Sequence, residues 1–260
     1  MKNRKEIILL LILLILLFTI NYPYLDRITG NFLNEQKSVH ITRVIDGDTI
    51  VAGNETIRLL GINTPERKDY LYNEANEFLN ASVFNKTVYL DFGKRETDKY
   101  GRTLAYIFLD GKNINLELVE EGYANPYFLE GKDKYYGKFF QAWNKCIEKN
   151  QNLCEKSVDE CSRCIILKKF DSRNEEIVFY NQCNFICEMT NWSIKDEGRK
   201  KFIFPKFFLE SNTEIKIITA DLKDNDKTFF WKNETNVWTE TGDTLFLRDD
   251  KGKLVLWENY

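Results

Sequence analysis

The stretch Val44 to Glu66, V-I-D-G-D-T-I-V-A-G-N-E-T-I-R-L-L-G-I-N-T-P-E, constrains this chain more than any other. Its turn words, Asp46-Gly47-Asp48 and Gly53-Asn54, separate short runs rich in β-branched residues, so it reads as strands in close succession. It also holds groups that folding alone has little use for. Asp46 and Asp48 put two carboxylates in one turn, which suits a hard divalent cation that prefers oxygen ligands. Arg58 lies among aliphatic residues, where a charge needs a partner, and its forked guanidinium fits a phosphate. Alternation puts Arg58 on the strand face opposite Ile57 and Leu59. Glu66 follows the proline-fixed corner Thr64-Pro65, a place from which a carboxylate can activate water. A metal, a phosphate clamp and a base together point to phosphodiester hydrolysis.

Each feature also has an ordinary explanation. Asp46 and Asp48 could form a plain hairpin turn with Gly47 supplying a positive φ. Arg58 could be a surface strand residue, Glu66 a helix-cap acid, and Arg102 hairpin decoration. Their coincidence at fixed spacing favours the chemical reading.

D-G-D-T, then R-L-L-G-I-N-T-P-E, then Asp98-Lys99-Tyr100-Gly101-Arg102 closely resemble the staphylococcal-nuclease (thermonuclease) family. The resemblance runs from about Ser38 to about Asn150. It implies that Asp48 and the backbone carbonyl of Thr64 bind calcium, with Asp46 supporting the metal site. It implies that Glu66 is the general base and that Arg58 and Arg102 grip the scissile phosphate. Tyr100 and Tyr127 fall where family tyrosines line the nucleotide pocket. The implied products carry 3′-phosphates and 5′-hydroxyls. Asn63 is a departure: well-studied members carry a second metal-binding aspartate there. An amide oxygen still coordinates calcium but brings no charge, so a higher calcium requirement is expected.

Periodicity predicts strands at Val39–Val44, Thr49–Ala52, Thr56–Ile62, Val88–Phe92 and Leu104–Leu109. Helices are expected at Glu74–Phe84, Ile114–Glu121 and Lys138–Lys149. Five short strands with three helices fit a small barrel of the oligonucleotide-binding (OB) type. Residues 151–163 form a charged, cysteine-bearing hinge. Beyond it the texture changes to about seven short strands with polar turns, which reads as a β-sandwich. The words N-E-E-I-V, N-W-S-I-K-D, F-I-F-P and G-D-T-L-F-L are similar to the lamin-tail domain family. That resemblance implies an immunoglobulin-like sandwich over residues 164–260. The fold class expected is therefore mainly β with some α: an OB-type barrel, a sandwich, and an N-terminal membrane helix.

The N-terminal expectation rests on Lys2, Arg4 and Lys5 ahead of an apolar run from Ile7 to Ile20. As a helix the run spans about 21 Å, short of a hydrocarbon core of about 30 Å, which Asn21 to Leu25 nearly completes. Residues 1–25 are read as a signal anchor or a signal peptide and 26–37 as a tether, leaving the rest outside the cytoplasm. Cys146, Cys154, Cys161, Cys164, Cys183 and Cys187 agree with an oxidising compartment and predict three disulfides of open connectivity. The rival is zinc bound by Cys161-x-x-Cys164 and Cys183-x-x-x-Cys187.

A formal charge of −3 argues against a general electrostatic binder of nucleic acid, so any contact should be local. His40, the one histidine, falls in the first strand, which disfavours histidine-based nucleases. The expected function is a calcium-dependent nuclease acting on single-stranded or locally opened DNA and RNA with little sequence preference. Two alternatives come from other classes. One is a catalytically inactive, envelope-anchored module that binds nucleic acid or protein. The other is a zinc-stabilised DNA-binding protein. The ligand of the C-terminal domain is left open.

Overall fold

Residues 37–129, 131–239 and 242–260 are described by the computed structural model. The expected membrane segment, 1–25, and the tether up to residue 36 lie outside these ranges. Among the described residues, no helix is long and apolar enough to cross a membrane.

The first lobe is a seven-stranded sheet with three helices. In chain order its elements are β1 Ser38–His40, β2 Arg43–Asp46, β3 Thr49–Ala52, β4 Glu55–Leu59, β5 Ile62–Asn63, helix α1 Tyr72–Val83, β6 Thr87–Thr97, β7 Thr103–Leu109, β8 Lys112–Asn113, α2 Ile114–Glu120, β9 Asn125–Pro126 and α3 Tyr136–Lys149. The strand order β1-β6-β7-β4-β3-β2 leaves β1 and β2 at opposite edges, with β8 added to β7. The chain itself joins those edges. Ile41 N–H donates to Lys86 O on the β6 side, while Thr42 N–H donates to Val51 O of β3. Adjacent residues thus bond to the two edge neighbours, and the sheet curls around Ile41, which is fully buried. For that reason the single strand expected at Val39–Val44 appears as two.

The helices form where expected, each for a visible reason. Helix α1 buries Ala75, Leu79 and Val83 at four-residue spacing. The Asn113 side chain caps α2 by accepting from Leu116 N–H, and Gly122, at φ 72°, closes that helix against Val119 O. Helix α3 buries Phe139, Ala142, Trp143 and Cys146. Asn115, fully buried, ties α2 to the sheet: its Oδ1 accepts from Ile107 N–H and its Nδ2 donates to Leu60 O.

The second lobe contains β10 Ile165–Asp171, β11 Glu176–Asn181, β12 Cys187–Glu188, β13 Ser193–Lys195, β14 Lys201–Ile203, β15 Phe208–Leu209, β16 Glu214–Thr219, β17 Thr228–Trp231, β18 Thr244–Arg248 and β19 Leu254–Asn259. They build two four-stranded sheets, β10-β11-β16-β17 and β14-β13-β18-β19, and a short β12-β15 pair. Both four-stranded sheets contribute to one buried cluster, Ile165, Ile177 and Phe179 from the first and Ile194, Leu245 and Leu247 from the second. The β16-β17 pairing is parallel, unlike the other strand pairs of this lobe.

Ser38 to Tyr260 is one compact unit. The lobes share apolar contacts: Phe246 and Leu254 belong to the first lobe's core, and Trp143 of α3 meets Phe246 edge-on with ring centroids 5.4 Å apart. The segment expected as a hinge is tied on both sides. Cys146 is bonded to Cys154, Leu254 N–H donates to Glu155 O, and Ser157 N–H donates to Leu254 O. The other four cysteines pair as Cys161–Cys187 and Cys164–Cys183. Connectivity open in the sequence is thereby assigned, and no cysteine is left as a free zinc ligand.

Candidate active site

Strand register assembles the site. The β3-β4 pairing sets Thr49 opposite Arg58, which brings Asp48 beside the guanidinium. The parallel β4-β7 pairing aligns Ile57 with Thr103 and Arg58 with Leu104, so Arg102 enters the sheet next to Arg58. Pairing of Asn63 with Asn125 across β5 and β9 then places Tyr127, whose N–H donates to Gly61 O.

Asp48 and Arg58 form a buried ion pair, Nη2 to Oδ2 at 2.8 Å, with the two residues only 3% and 7% exposed. Both faces of β4 are therefore covered, and Arg58 is no surface strand residue. Its Nη1 donates to Leu59 O at 2.5 Å and its Nη2 to Asn63 Oδ1 at 3.3 Å. Asp48 also accepts from Thr49 Oγ1 and from Thr64 N–H. Asp46 accepts from Asp48 N–H, and its carboxyl is pushed up by burial and by the neighbouring Asp48 charge. Gly47 does not take the left-handed conformation that the plain hairpin-turn alternative would ask of it. Its role is space: a Cβ there would lie 3.0 Å from Thr64 and from Ala75 of α1.

Arg102 is held by Asp98, with Nε 2.7 Å from Oδ2 and its own N–H donating to Oδ1. Those bonds hold the Asp98 carboxyl below the ordinary range, against the opposing effect of burial. The Arg102 guanidinium lies 5.6 Å from the Tyr100 ring centroid. Tyr100 is 72% exposed, whereas Tyr127 is half-buried and its hydroxyl is pushed up by burial and by the Asp196 charge.

Arg58, Asn63, Tyr100, Arg102 and Tyr127 line one cavity of about 480 Å³. Asp46, Asp48, Thr64 and Glu66 are not part of its lining. Asp48 is paired with Arg58, and Asp46 and Thr64 are each bonded to Asp48. Glu66 meets the cavity through Arg199, a lining residue whose Nε lies 2.7 Å from Glu66 Oε1. His40 is elsewhere, bonding Asn85 on an outer strand.

The second lobe takes part in ways its sequence did not signal. Asn63 Nδ2 donates to Gly198 O at 2.7 Å, Asn125 Nδ2 donates to Glu197 O, and Phe128 N–H donates to Glu197 Oε1. Asp196-Glu197-Gly198-Arg199 reads in isolation as a solvated turn between two strands. Only the docking of the lobes brings it to the cavity. That docking also accounts for Asn63, since a carboxylate at this position would face the Gly198 carbonyl with no proton to donate.

The side chains gathered at the acidic turn carry oxygen: the Asp46 and Asp48 carboxylates, the Thr49 hydroxyl and, across Arg58, the Asn63 amide. Burial first and the Asp48 charge second raise Asp46, and a hard cation beside the two carboxylates would offset both.

A curled barrel carrying two carboxylate-pinned arginines over an oxygen-rich turn is built to handle a phosphate-bearing substrate. Residues 56–156 match the family model described as staphylococcal nuclease homologue. The chain is 33% identical over 161 residues to a thermonuclease of Staphylococcus intermedius, covering 56% of this chain and 95% of that protein. It is 30% identical over 166 residues to an uncharacterized endonuclease of Haemophilus influenzae, covering 58% of this chain and 86% of the relative. Endonuclease YncB of Bacillus subtilis is 38% identical over 125 residues, 43% of this chain and 59% of its own length. The chain belongs to the staphylococcal nuclease family. The family model's match ends before the second lobe's first strand, and it starts after Asp46 and Asp48.

Proposed function

We propose that this thermonuclease-like hydrolase is a calcium-dependent nuclease. It acts outside the cytoplasm on single-stranded or locally opened DNA and RNA and leaves 3′-phosphate ends. The observation that carries the reading is the shared cavity: Arg58 and Arg102, from different strands, line it with Tyr100 and Tyr127. Two guanidiniums offset charge growing on a phosphoryl group, and tyrosine rings stack on bases without regard to identity. Glu66 takes the proton of the attacking water at the cavity rim. Calcium held by Asp46, Asp48, Asn63 and Thr64 would add Lewis-acid polarisation of a phosphate oxygen. The carboxylate partners of Arg58 and Arg102 fix each fork before substrate arrives, so little reorganisation is left for the reaction.

Location outside the cytoplasm is supported by the three disulfides and by the basic, apolar N-terminal stretch. The lamin-tail resemblance of the second lobe is supported by its two four-stranded sheets around one apolar cluster. We assign that lobe a docking role.

One observation favours the binding-only alternative: both ends of the Asn63 amide are engaged, with Arg58 and with Gly198. The deciding experiment incubates the full chain with labelled single-stranded DNA and RNA across a calcium titration, with EGTA and Glu66→Gln controls. Calcium-dependent cleavage to 3′-phosphate ends, lost in Glu66→Gln, is expected. Binding without turnover at every calcium concentration would replace the nuclease reading with the binding module.

A further inference from the structure

Residues 196–199 leave the second lobe between β13 and β14 and end over the cleft of the first. The bonds from Asn63 to Gly198 O, from Asn125 to Glu197 O and from Phe128 N–H to Glu197 Oε1 are all buried and account for the docking of this loop. Arg199 is not needed for it. Its side chain is 61% exposed, and exposed ion pairs add little to stability.

Yet Arg199 lines the same cavity as Arg58, Arg102, Tyr100 and Tyr127. In a chain of net charge −3, cations gathered around one cleft call for a reason. A guanidinium carries five N–H donors, which one carboxylate does not use up. Besides Arg199 the lining holds Arg58, Arg95 and Arg102, three tyrosines and the acids Asp98 and Asp133, and the anion that fits such a cation-rich, aromatic cleft is a phosphodiester.

Resting on the nuclease reading above, we infer that Arg199 is a third phosphate-binding arginine of the cleft, supplied by the second lobe. In the substrate-free protein it holds the Glu66 carboxylate at the rim. With nucleic acid present it grips a backbone phosphate next to the scissile one. The family match ends well before this residue, so the contact belongs to the two-lobed arrangement of this chain.

The test compares the full chain in mild detergent with Arg199→Ala, Arg199→Lys and, as a remote charge control, Lys168→Ala, whose ammonium pairs with Glu214 within the β10-β11-β16-β17 sheet. Binding of a fluorescent single-stranded oligonucleotide is read by anisotropy in EGTA, where no turnover interferes, across a salt series. Arg199→Ala should weaken binding about tenfold, as loss of a charge-assisted bond does. It should also flatten the dependence of log Kd on log salt by about 0.7, the share of one phosphate contact on a single strand. Arg199→Lys should restore the slope, and Lys168→Ala should match the parent. In calcium, KM should rise with the Kd of Arg199→Ala. Unchanged thermal unfolding would show that the fold is intact. An Arg199→Ala protein with the parental slope and Kd would overturn the inference even if the parent cleaves well. A lowered slope in a chain that never cleaves would uphold the phosphate contact and sink only the catalytic reading.

Discussion

At the scale of single residues, the Asp48–Arg58 pair ties chemistry to stability. Both side chains are buried, so removing one leaves the other as an uncompensated charge. Arg58→Ala should cost about 3 kcal/mol in urea unfolding, and its lost activity must be read beside that number. A midpoint equal to the parent would mean that Asp48 finds another partner. Asn63→Asp, which restores the family's acid, should also destabilise, by about 1–3 kcal/mol. It removes the donor to Gly198 O and sets a carboxylate oxygen against that carbonyl. Unfolding in the absence of calcium checks this, and an unchanged midpoint would show that the loop docks without the bond. Asp46, Asp48, Arg58 and Glu66 stand out in the sequence as charges in strand-and-turn context, whereas Asn63, Thr64, Arg102 and the two tyrosines were pointed to by the family resemblance; the structure brings Arg58, Asn63, Arg102 and both tyrosines to one cavity. What Asn63 does could not be named, because its partner lies in the other lobe.

At the scale of elements, the helices were legible to within two residues at each end. Their apolar spacing and stop signals, such as Gly122 after α2, are local. The break of the first strand at Ile41–Thr42 was not, since it depends on which two edges the chain must join. The connection between β13 and β14 raises a question of pH. Burial pushes Glu197 up to about 8 and Asp196 up to about 7, with the Asp243 charge adding to both. Their ordinary values are 4.5 and 3.8. An acid raised by folding gives its full stability below its unfolded value and loses it as pH climbs through the folded one. The lobe contact should therefore weaken steadily from about pH 4 to about pH 8. Lys195, lowered to about 8 by burial, acts in the window above that, where stability recovers as pH rises. Glu197→Gln keeps an acceptor for Phe128 N–H and should remove about half of the acid-side slope. Thermal midpoints over this range provide the check, and a flat profile in the parent would refute the burial argument.

At the scale of the whole molecule, two lobes that read as separate domains in sequence share a core. Phe246 and Leu254 of the second lobe belong to the first lobe's cluster, and the linking segment is pinned at Cys146–Cys154 and at Leu254. The two should unfold in one cooperative transition, with near- and far-ultraviolet circular dichroism coinciding. Two resolved steps would mean that the interface is weaker than its contacts suggest. Replacing Cys146 and Cys154 with serine should cost roughly 2–3 kcal/mol, as expected for closing so short a loop, and urea unfolding of the double variant measures it. The contact between lobes was illegible because nothing in the D-E-G-R-K turn announces a partner far upstream. That contact also sets an order in time. Glu66 leaves the ribosome long before Arg199, Gly198 and Glu197 do, so a growing chain shows its barrel without the wall that completes the cleft. The finished site is a late event in the making of the protein, reached only once the second lobe has been synthesised, folded and brought back onto the first.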